Sequence, residues 1–314
     1  MASSNSILIT GSNGQLGCEL RERLSAGGFA EQMGWKIFYT DIAELDITDN
    51  GAVDTFIHNN KIDVVINCAA YTAVDRAEDE RELCFSINGD APGYIVDALK
   101  KNRNIRNGVT RIPLIIHIST DYIFDGSSST PYDETSLANP QSVYGESKLA
   151  GERVIIGSGI NYIIIRTSWL YSKYGKNFVE TILELSAERE ELNVVHDQRG
   201  TPSNAADLAD AIVRMLSFNL SADSNAEQGN NLPFGVYHYS NEGICSWALF
   251  AIEIIRLAGR ACKVNSVTTD EFAAKAKRPA YSVLDKSKIK SVYKIDIPDW
   301  RDSLARYLTT RHKK

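Results

Sequence analysis

The sequence predicts an α/β protein whose first half is a doubly wound parallel sheet, Rossmann-like in its order of elements. Three observations predict this fold: strands alternate with helices, the strands are apolar on both faces, and a glycine-rich turn joins the first strand to the first helix. Strands that are apolar on both faces belong in a parallel sheet that helices cover on both sides.

The elements of this half follow from hydrophobic periodicity. The run Ser6–Thr10 is short, apolar and rich in β-branched residues, which is typical of a strand, and leucines then recur at helical spacing. The same two signals repeat along the chain. They predict strands at Ser6–Thr10, Lys36–Thr40, Asp63–Cys68, Leu114–Ile118 and Tyr162–Arg166, and helices at Gln15–Ala26, Gly51–Asn59, Cys84–Lys101 and Ser142–Val154.

The alternation becomes less regular after Trp169. Two polar segments, Asn102–Pro113 and Ser221–Pro233, are expected to be surface loops, because surface excursions outnumber active-site lids. The remaining signals predict helices at Phe178–Glu188, Ala206–Ser217 and Trp247–Ala258, and short strands at Asn193–Val195 and Val236–Tyr239.

Composition and charge exclude several classes of protein. With 314 residues, 43% of them hydrophobic and 24% charged, the chain can bury a large core and is not disordered as a whole. A formal charge of −6 argues against a nucleic-acid or anionic-membrane binder. No apolar run approaches the roughly 20 residues that span a bilayer. We expect no nucleic-acid partner and no membrane partner.

The cysteines indicate the compartment. There are five, an odd number, and none forms a Cys-x-x-Cys pair, so neither a disulfide framework nor a zinc site is indicated. The first residues lack the basic-then-apolar order of a secretion signal. The sequence therefore predicts a cytoplasmic protein with reduced thiols.

The glycine-rich turn is the first candidate site. Gly11, Gly14 and Gly17 follow a predicted strand and open a predicted helix, the context in which this spacing predicts a dinucleotide site. Glycines let the backbone approach a phosphate, and the helix N-terminus supplies amide groups and a favourable dipole. A purely structural turn is the alternative.

A carboxylate follows the second predicted strand at the distance from the glycines where ribose recognition is expected. Asp41 can accept hydrogen bonds from an adenosine ribose, and it repels a 2′-phosphate. On that physics NADH is accepted, whereas NADPH needs a nearby cation that the sequence does not locate. Asp46 and Ile47, in the next loop, are expected to border the adenine, with an ordinary turn as the alternative for Asp46.

Tyr144 and Lys148 are the second candidate site. Four residues of helix place both side chains on one face. We expect the Lys148 ammonium to favour the phenolate of Tyr144 and to lower the pKa of the phenol from about 10 toward neutrality, which suits acid–base catalysis. Chance occurrence of this spacing in a helix is the alternative.

Residues 118–122 bring hydroxyl groups to the carboxyl end of a predicted parallel strand, the edge at which such sheets bind ligands. Thr120 can there donate a hydrogen bond to a substrate oxygen beside Tyr144. With the glycine turn, these residues supply the parts for hydride transfer to a carbonyl: a nicotinamide cofactor, a proton donor and a group that polarises the oxygen.

Seven segments, spread over nearly all of the chain, carry a resemblance to a known family. They are residues 11–17 (GSNGQLG), 67–75 (NCAAYTAVD), 119–124 (STDYIF), 144–152 (YGESKLAGE), 166–171 (RTSWLY), 197–202 (DQRGTP) and 278–279 (RP). Together they resemble the extended short-chain dehydrogenase/reductases and, within them, the dTDP-4-dehydrorhamnose reductases. The resemblance implies reduction of the 4-keto group of dTDP-4-dehydro-L-rhamnose to dTDP-L-rhamnose by NADPH or NADH.

The resemblance also implies roles for individual residues. Thr120, Tyr144 and Lys148 form the catalytic trio, in which Tyr144 protonates the keto oxygen and Lys148 also holds the nicotinamide ribose. With the residues above, the expected cofactor-binding set is Gly11, Asn13, Gly14, Gln15, Leu16, Gly17, Asp41, Asp46, Ile47, Ala69, Ala70, Tyr71, Tyr144 and Lys148. The expected substrate-binding set is Thr120, Asp121, Tyr122, Trp169, Asn177, Gln198, Thr201 and Pro202, with core packing at Trp169 and helix capping at Asn177 as alternatives.

The motifs and the order of elements define the expected domains. Residues 1–168 form a dinucleotide-binding Rossmann domain. Residues 169–314 form a smaller, mainly substrate-binding domain, in which parts of 190–242 return to the Rossmann sheet.

Several points stay open at the level of sequence. Tyr71 stands where family members commonly carry His, and Cys68 replaces a usual Ala beside the cofactor. Some members bridge a homodimer with Mg²⁺ and acidic side chains, and Glu19 matches one such position, but no partner ligand is identified, so no metal-binding residue is assigned. Two alternative functions remain: a reductase or epimerase of another nucleotide sugar, and a non-catalytic subunit resembling the regulatory subunit of methionine adenosyltransferase.

Overall fold

A computed structural model describes residues 5–102, 105–106, 109–110, 113–222, 233–272 and 274–311 of the chain. Its strands are β1 (Ser6–Thr10), β2 (Lys36–Tyr39), β3 (Val64–Asn67), β4 (Ile105–Arg106), β5 (Val109–Thr110), β6 (Leu114–Thr120), β7 (Asn161–Thr167), β8 (Leu170–Tyr171), β9 (Glu191–Val195), β10 (Arg199–Gly200), β11 (Ser203–Asn204), β12 (Gly235–His238), β13 (Cys245–Ser246) and β14 (Lys263–Val267).

The helices alternate with these strands. They are α1 (Gln15–Ser25), α2 (Phe29–Gln32), α3 (Asn50–Asn59), α4 (Val74–Ala77), α5 (Arg81–Phe85), α6 (Ala91–Lys101), α7 (Val143–Ile156), α8 (Phe178–Glu188), α9 (Ala205–Ala222), α10 (Trp247–Leu257), α11 (Thr269–Phe272), α12 (Ser287–Tyr293) and α13 (Trp300–Thr310). A π-helical turn at Ser86–Asp90 joins α5 to α6, and 3₁₀ turns lie at Ala26–Gly28 and Asp121–Ile123.

Six parallel strands form the central sheet, in the order β12-β7-β6-β3-β1-β2. One row of the sheet pairs Ile9 with Ile66, Ile66 with Ile116, and Ile116 with Ile163, and all four side chains are fully buried. The strand order reverses between β1 and β3, which is the switch point where sheets of this kind bind ligands. The predicted doubly wound α/β fold is confirmed.

Helices cover both faces of the sheet, which explains why its strands are apolar on both sides. Leucines of α1 and α9, such as Leu20 and Leu208, pack on one face. Apolar residues of α3 and α6, such as Ile57 and Leu99, pack on the other. The sheet is therefore the rigid floor on which the loops after its strands are held.

The C-terminal part of the chain has its own apolar core. Helices α8, α10 and α13 pack around the parallel pair β9/β14 through residues such as Leu183, Phe250, Ile254 and Trp300. Between these elements the chain returns to the central sheet, where β12 pairs with β7. This smaller core stands beside the carboxyl ends of the sheet strands.

Three segments differ from the prediction or lie beyond it. The segment Asn102–Pro113, expected as a loop, contains the antiparallel pair β4/β5 among its described residues. Most of Ser221–Pro233 lies outside the described residues. Strand β6 continues to Thr120 and so carries that hydroxyl itself. Within the described ranges, no helix combines the length and apolar character needed to cross a membrane.

Candidate active site

A cleft of about 430 Å³ lies above the carboxyl ends of β1, β3 and β6, between the glycine turn and the C-terminal core. Its walls include all three predicted catalytic residues and part of each predicted binding set. The predicted residues that line it are Gly11, Gly14, Gln15, Leu16, Gly17, Ala70, Thr120, Asp121, Tyr122, Tyr144, Lys148, Trp169 and Asn177.

The glycine turn is shaped by close backbone contacts. Gly11 has a φ of 61°, and a Cβ there would lie 2.6 Å from the backbone nitrogen of Ala69. A Cβ on Gly17 would lie 2.4 Å from the carbonyl oxygen of Gly11. Only glycine fits at either position without moving the backbone.

The same turn leaves the N-terminus of α1 open to a ligand. Gly14 is the N-cap and provides no side-chain cap, and the first turn of α1 carries no acidic residue. Amide groups at an uncapped helix N-terminus, together with the helix dipole, favour an anion. The turn therefore fits the pyrophosphate of a dinucleotide.

Asp41 lies beside this turn, outside the cleft walls. Its Oδ2 accepts a hydrogen bond from the Asn13 amide at 3.0 Å, and its Oδ1 accepts one from the Ile42 amide at 2.9 Å. Asp46 forms a local turn by accepting hydrogen bonds from the backbone and hydroxyl of Thr48. Ile47 is buried in the core beneath. The structure thus brings Asp41 to the glycine turn, whereas the predicted contacts of Asp46 and Ile47 with an adenine stay predictions.

The residues after β3 are fixed by the π-helical turn. Asn88, in that turn, accepts a hydrogen bond from the Tyr71 amide at 2.9 Å and donates one to the Tyr71 carbonyl at 3.0 Å. The Tyr71 hydroxyl donates to Glu80 at 2.6 Å. Ala69 lies against Gly11, and Ala70 lines the cleft.

Helix α7 carries the catalytic pair and is held close to the strand ends. Ser142 caps the helix by accepting a hydrogen bond from the Gly145 amide. A Cβ on Gly145 would lie 2.2 Å from the Tyr122 carbonyl oxygen, and one on Gly151 would lie 2.2 Å from the Asn88 carbonyl oxygen. These two glycines let the helix approach far enough for Tyr144 to line the cleft.

Lys148 is buried and bound to the strand beneath it. Its Nζ donates a hydrogen bond to the Ile118 carbonyl at 2.6 Å and lies 3.3 Å from His117 Nε2. Burial lowers the pKa of Lys148 to about 8, although the Glu152 carboxylate opposes the shift. An ammonium can only donate, so Nε2 of His117 accepts from it.

His117 links Lys148 to the foot of the glycine turn. The Nδ1 of its imidazole lies 3.1 Å from the Asn67 side-chain nitrogen. The Oδ1 of Asn67 accepts a hydrogen bond from Thr10 Oγ1 at 2.6 Å. Burial holds the pKa of His117 well below its usual value, so the ring stays neutral.

The expected lowering of the Tyr144 pKa is wrong for the structure as described. Burial raises the pKa of Tyr144 to about 12, while the nearby Thr120 hydroxyl opposes the shift and Asp121 adds to it. Helical spacing places Lys148 on the right face, but its ammonium turns to Ile118 and His117 rather than to the phenol. The phenol is consequently protonated at neutral pH, which suits a proton donor.

Asp121 is a buried carboxyl group at the substrate side of the cleft. Its Oδ1 accepts a hydrogen bond from Thr120 Oγ1 at 3.2 Å, whereas its Oδ2 is buried and accepts no hydrogen bond of good geometry among the described residues, although the Ser282 hydroxyl is close enough to oppose the rise in the pKa of the carboxyl. Burial raises its pKa to about 7. The Tyr122 ring packs edge-on against Tyr144, with centroids 5.5 Å apart. A buried oxygen without a donor is costly, so Asp121 is suited to accept a hydrogen bond from a ligand.

Trp169 forms the far wall of the cleft with Trp247. The two indole rings stack with centroids 3.6 Å apart and an angle of 12°. Trp169 has a φ of 47°, and a Cβ on Gly200 would lie 2.7 Å from its ring. A left-handed conformation is rare for so large a residue and persists only when its surroundings hold it, as they do here.

Asn177 lines the cleft and also caps α8. Its Oδ1 accepts a hydrogen bond from the Glu180 amide at 3.1 Å, and its Nδ2 donates to the Ser172 carbonyl at 2.6 Å. Both ends of the amide therefore serve the fold. Helix capping, the alternative raised from the sequence, is observed at this residue.

Gln198, Thr201 and Pro202 do not line the cleft. Gln198 donates to Thr269 Oγ1 at 3.0 Å, and Thr201 donates to the Gly243 carbonyl at 2.8 Å. All three residues are buried behind Trp169 and support the chain there. Their predicted contact with a substrate stays a prediction.

Glu19 is occupied within the chain. One carboxylate oxygen accepts from Ser172 Oγ at 2.7 Å, and the other pairs with Arg23 Nη1 at 2.8 Å. Among the residues that the structure describes, no group of three or more His, Cys, Asp or Glu side chains could hold a metal ion.

Sequence reasoning missed His117, Asn67, Asn88 and Trp247. His117 lies in an apolar strand, and the strand was interpreted as core only. A histidine inside such a strand could have indicated a buried polar contact. Asn88 and Trp247 carry no pattern of their own, since their contacts form only when distant segments meet.

Three comparisons with known proteins agree on one family. The family model described as "RmlD substrate binding domain" matches residues 5–312. The dTDP-4-dehydrorhamnose reductase of Aggregatibacter actinomycetemcomitans is 36% identical over 304 residues, which cover 95% of this chain and 96% of that protein.

Solved structures give the same result. The crystal structure of a dTDP-4-dehydrorhamnose reductase from Clostridium acetobutylicum superposes with a TM-score of 0.84 and 40% identity, covering 97% of this chain and 98% of that one. The dTDP-4-dehydrorhamnose reductase from Bacillus anthracis, solved in complex with NADP, gives a TM-score of 0.83 and 36% identity, covering 98% and 99%.

Proposed function

This chain belongs to the RmlD substrate-binding-domain family, and on that premise we propose that it is an NAD(P)H-dependent reductase of a dTDP-4-keto-6-deoxy sugar. The proposed reaction converts dTDP-4-dehydro-L-rhamnose to dTDP-L-rhamnose. The observation that carries the proposal is one cleft that joins the glycine turn to Thr120, Tyr144 and Lys148.

Tyr144 is the proposed proton donor. A phenol whose pKa is raised to about 12 holds its proton at neutral pH and releases it only when negative charge develops on an adjacent oxygen. Thr120, next to it on the strand end, turns its single hydroxyl proton from Asp121 to the same oxygen when the substrate binds. A bound reduced nicotinamide supplies the hydride.

Lys148 is the proposed ribose-holding residue. An ammonium has three protons, and two are directed to the Ile118 carbonyl and His117. The third is free to bind a ribose hydroxyl of the nicotinamide nucleotide. The positive charge also favours the phenolate that Tyr144 becomes after proton transfer.

The proposed sugar-nucleotide site lies between Asp121 and the tryptophan pair. The buried Oδ2 of Asp121, which accepts no hydrogen bond of good geometry among the described residues, supports a hydrogen bond to a sugar hydroxyl. Trp169 and Trp247 offer an aromatic face for a base or a sugar ring. Tyr122 and Asn177 complete this wall.

A homodimer in the cytoplasm is the proposed state. Two exposed apolar side chains of α10, Leu249 and Ile252, support a self-contact at that helix, and all five thiols are free, as expected in a reducing compartment. The proposed dimer does not depend on a metal bridge, and each oxygen of Glu19 accepts a hydrogen bond within the chain, from Ser172 or from Arg23. Light scattering of the protein and of Leu249→Asp checks the dimer, and a monomer at working concentration contradicts it. Fractionation of the source cells checks the compartment.

One assay tests the function. Purified protein is mixed with dTDP-4-dehydrorhamnose and either NADPH or NADH, nicotinamide absorbance is followed, and the sugar product is identified. We expect cofactor oxidation that depends on the sugar and yields dTDP-L-rhamnose. Turnover only with another 4-keto nucleotide sugar contradicts the substrate, and no turnover with any such sugar contradicts the enzyme.

A further inference from the structure

Helix α1 carries two arginines that differ in what surrounds them. Arg23 is paired with the carboxylates of Glu19 and Asp210, at 2.8 and 2.9 Å. Arg21 forms no ion pair with any carboxylate in the described part of the chain. A half-buried guanidinium without a direct ion pair is unusual, because only neutral groups accept its hydrogen bonds.

Arg21 is held against the glycine turn by neutral groups. Its Nη2 donates to Ser12 Oγ at 2.9 Å and lies 3.5 Å from Asn13 Oδ1, while its Nε is buried with no hydrogen-bond partner among the described residues. The guanidinium stacks over the Tyr39 ring, 4.8 Å from its centroid. Its plane is thus fixed, and its charge is not cancelled.

The position is the one where an adenosine ribose is expected. Asn13, which Arg21 touches, donates its amide to Asp41, the carboxylate at the end of β2 that sheets of this type place at the ribose. Both Asp41 oxygens already accept backbone amides, and Glu44 accepts from the Asp41 amide at 2.9 Å. Two carboxylates alone would repel a 2′-phosphate, whereas the positive guanidinium beside them attracts it.

We propose that Arg21 binds the 2′-phosphate of NADPH, and that it alone lets a site bordered by Asp41 and Glu44 accept that cofactor as well as NADH. A guanidinium matches a phosphate with a planar, two-pronged set of donors. The cation that the sequence could not locate is thereby assigned to α1. This inference rests on the proposed use of a nicotinamide cofactor.

A competing explanation is that Arg21 only tethers the glycine turn through Ser12. The two explanations differ in one measurable ratio. If Arg21 only tethers the turn, its loss weakens the binding of NADPH and NADH by the same factor, since both place the same pyrophosphate on the turn. If Arg21 binds the 2′-phosphate, its loss weakens the binding of NADPH only.

The test is direct titration of NADPH and of NADH into the protein without any sugar, followed by nicotinamide fluorescence or calorimetry. We expect Arg21→Gln to weaken NADPH roughly ten- to a hundredfold, the range of a lost charge-assisted hydrogen bond, and NADH by less than about threefold. Arg21→Lys should keep part of the NADPH affinity, because the charge remains although the planar pair of donors is lost. Lys36→Gln is the matched control, since it removes one exposed positive charge from the strand that carries Tyr39.

Equal weakening of both cofactors by Arg21→Gln, or no change in either, overturns the proposal. If Arg21→Gln fails to fold, Arg21→Met keeps the aliphatic stem over Tyr39 and removes the charge: NADPH must weaken at least about tenfold more than NADH, and a smaller difference overturns the proposal. Because no sugar is present, these outcomes are independent of whether the proposed reduction occurs.

Discussion

The nucleotide end and the chemical end of the cleft are built from different groups. At the nucleotide end, Gly11 and Gly17 bring backbone atoms within distances that a Cβ would close. At the chemical end, Lys148 and Asp121 are buried and Tyr144 is partly buried, and desolvation shifts the pKa of all three side chains. The nucleotide end therefore depends on positions without a side chain, and the chemical end depends on ionisable side chains removed from water.

This difference determines what each end is sensitive to. Added atoms should damage the nucleotide end at any pH, because the cause is steric. Changes in hydrogen bonding should damage the chemical end in a pH-dependent way, because they alter protonation. The substitutions that follow test this division, beginning with the largest effect.

Removal of the Tyr144 hydroxyl should have the largest effect. Tyr144→Phe deletes the proposed proton donor, and we expect kcat to fall roughly 10²- to 10⁴-fold, the usual contribution of a positioned acid. The Kd of each cofactor should change little, because the phenol is not part of the glycine turn. Stopped-flow or steady-state kinetics with dTDP-4-dehydrorhamnose measures the first quantity, and titration measures the second.

Tyr94→Phe is the matched control, since it removes a hydroxyl from α6 outside the cleft. Near-normal turnover of Tyr144→Phe would remove Tyr144 from the mechanism. A large loss of cofactor affinity in that variant would instead show that the two ends of the cleft are not independent.

A methyl group on Gly17 should have the opposite effect to Tyr144→Phe: cofactor binding should weaken, and the chemical step should change little. Gly17→Ala places its Cβ 2.4 Å from the Gly11 carbonyl oxygen, so the turn has to move. Strain of roughly 1–3 kcal/mol should appear as cofactor binding weakened roughly 5- to 150-fold, with the same factor at every pH. Gly51→Ala, at the start of α3, is the control, because its Cβ meets only a side-chain oxygen at 3.4 Å. Wild-type affinity in Gly17→Ala would refute the steric account.

His117 tests whether the chemical end is sensitive to pH through Lys148. The ammonium exists below its pKa of about 8, so activity that needs it is full below that pH and is lost as pH rises through it. His117→Phe removes an acceptor that stabilises the ammonium, so the pKa should fall and the loss should begin roughly one pH unit lower. The pH dependence of kcat/KM measures the shift.

His117→Gln should restore part of the profile, because its amide oxygen can accept from Lys148. A uniform loss of activity in His117→Phe with an unmoved basic limb would mean that His117 supports only the fold. Thermal unfolding of both variants separates the two results.

The sequence predicts the sheet well because its signals are local. Buried parallel strands are apolar on both faces, so runs such as Val64–Asn67 and Leu114–Thr120 are visible without any knowledge of their neighbours. The short pair β4/β5 was missed, because its surroundings are polar and lack alternation.

The candidate site is predictable in part, for the same reason. Spacing along a helix places Tyr144 and Lys148 on one face, but it does not say which acceptors the ammonium meets. Those acceptors, Ile118 and His117, come from a strand about thirty residues earlier and hold the ammonium away from the phenol, while burial shifts the pKa of both Lys148 and Tyr144. Residues whose role depends on such long-range contacts cannot be found from local patterns.

Asn177 gives the smallest effect and tests a residue that belongs to both the fold and the cleft. Asn177→Ala removes the N-cap of α8, so the free energy of unfolding should fall by about 1 kcal/mol. Asn177→Ser keeps a capping oxygen and should recover most of that loss. If the amide also binds the sugar nucleotide, both variants should raise KM for the sugar, whereas a cap alone would change stability in the first variant and KM in neither. Denaturant unfolding and sugar KM, measured on the same preparations, therefore decide whether this part of the wall contacts substrate or only holds the helix in place.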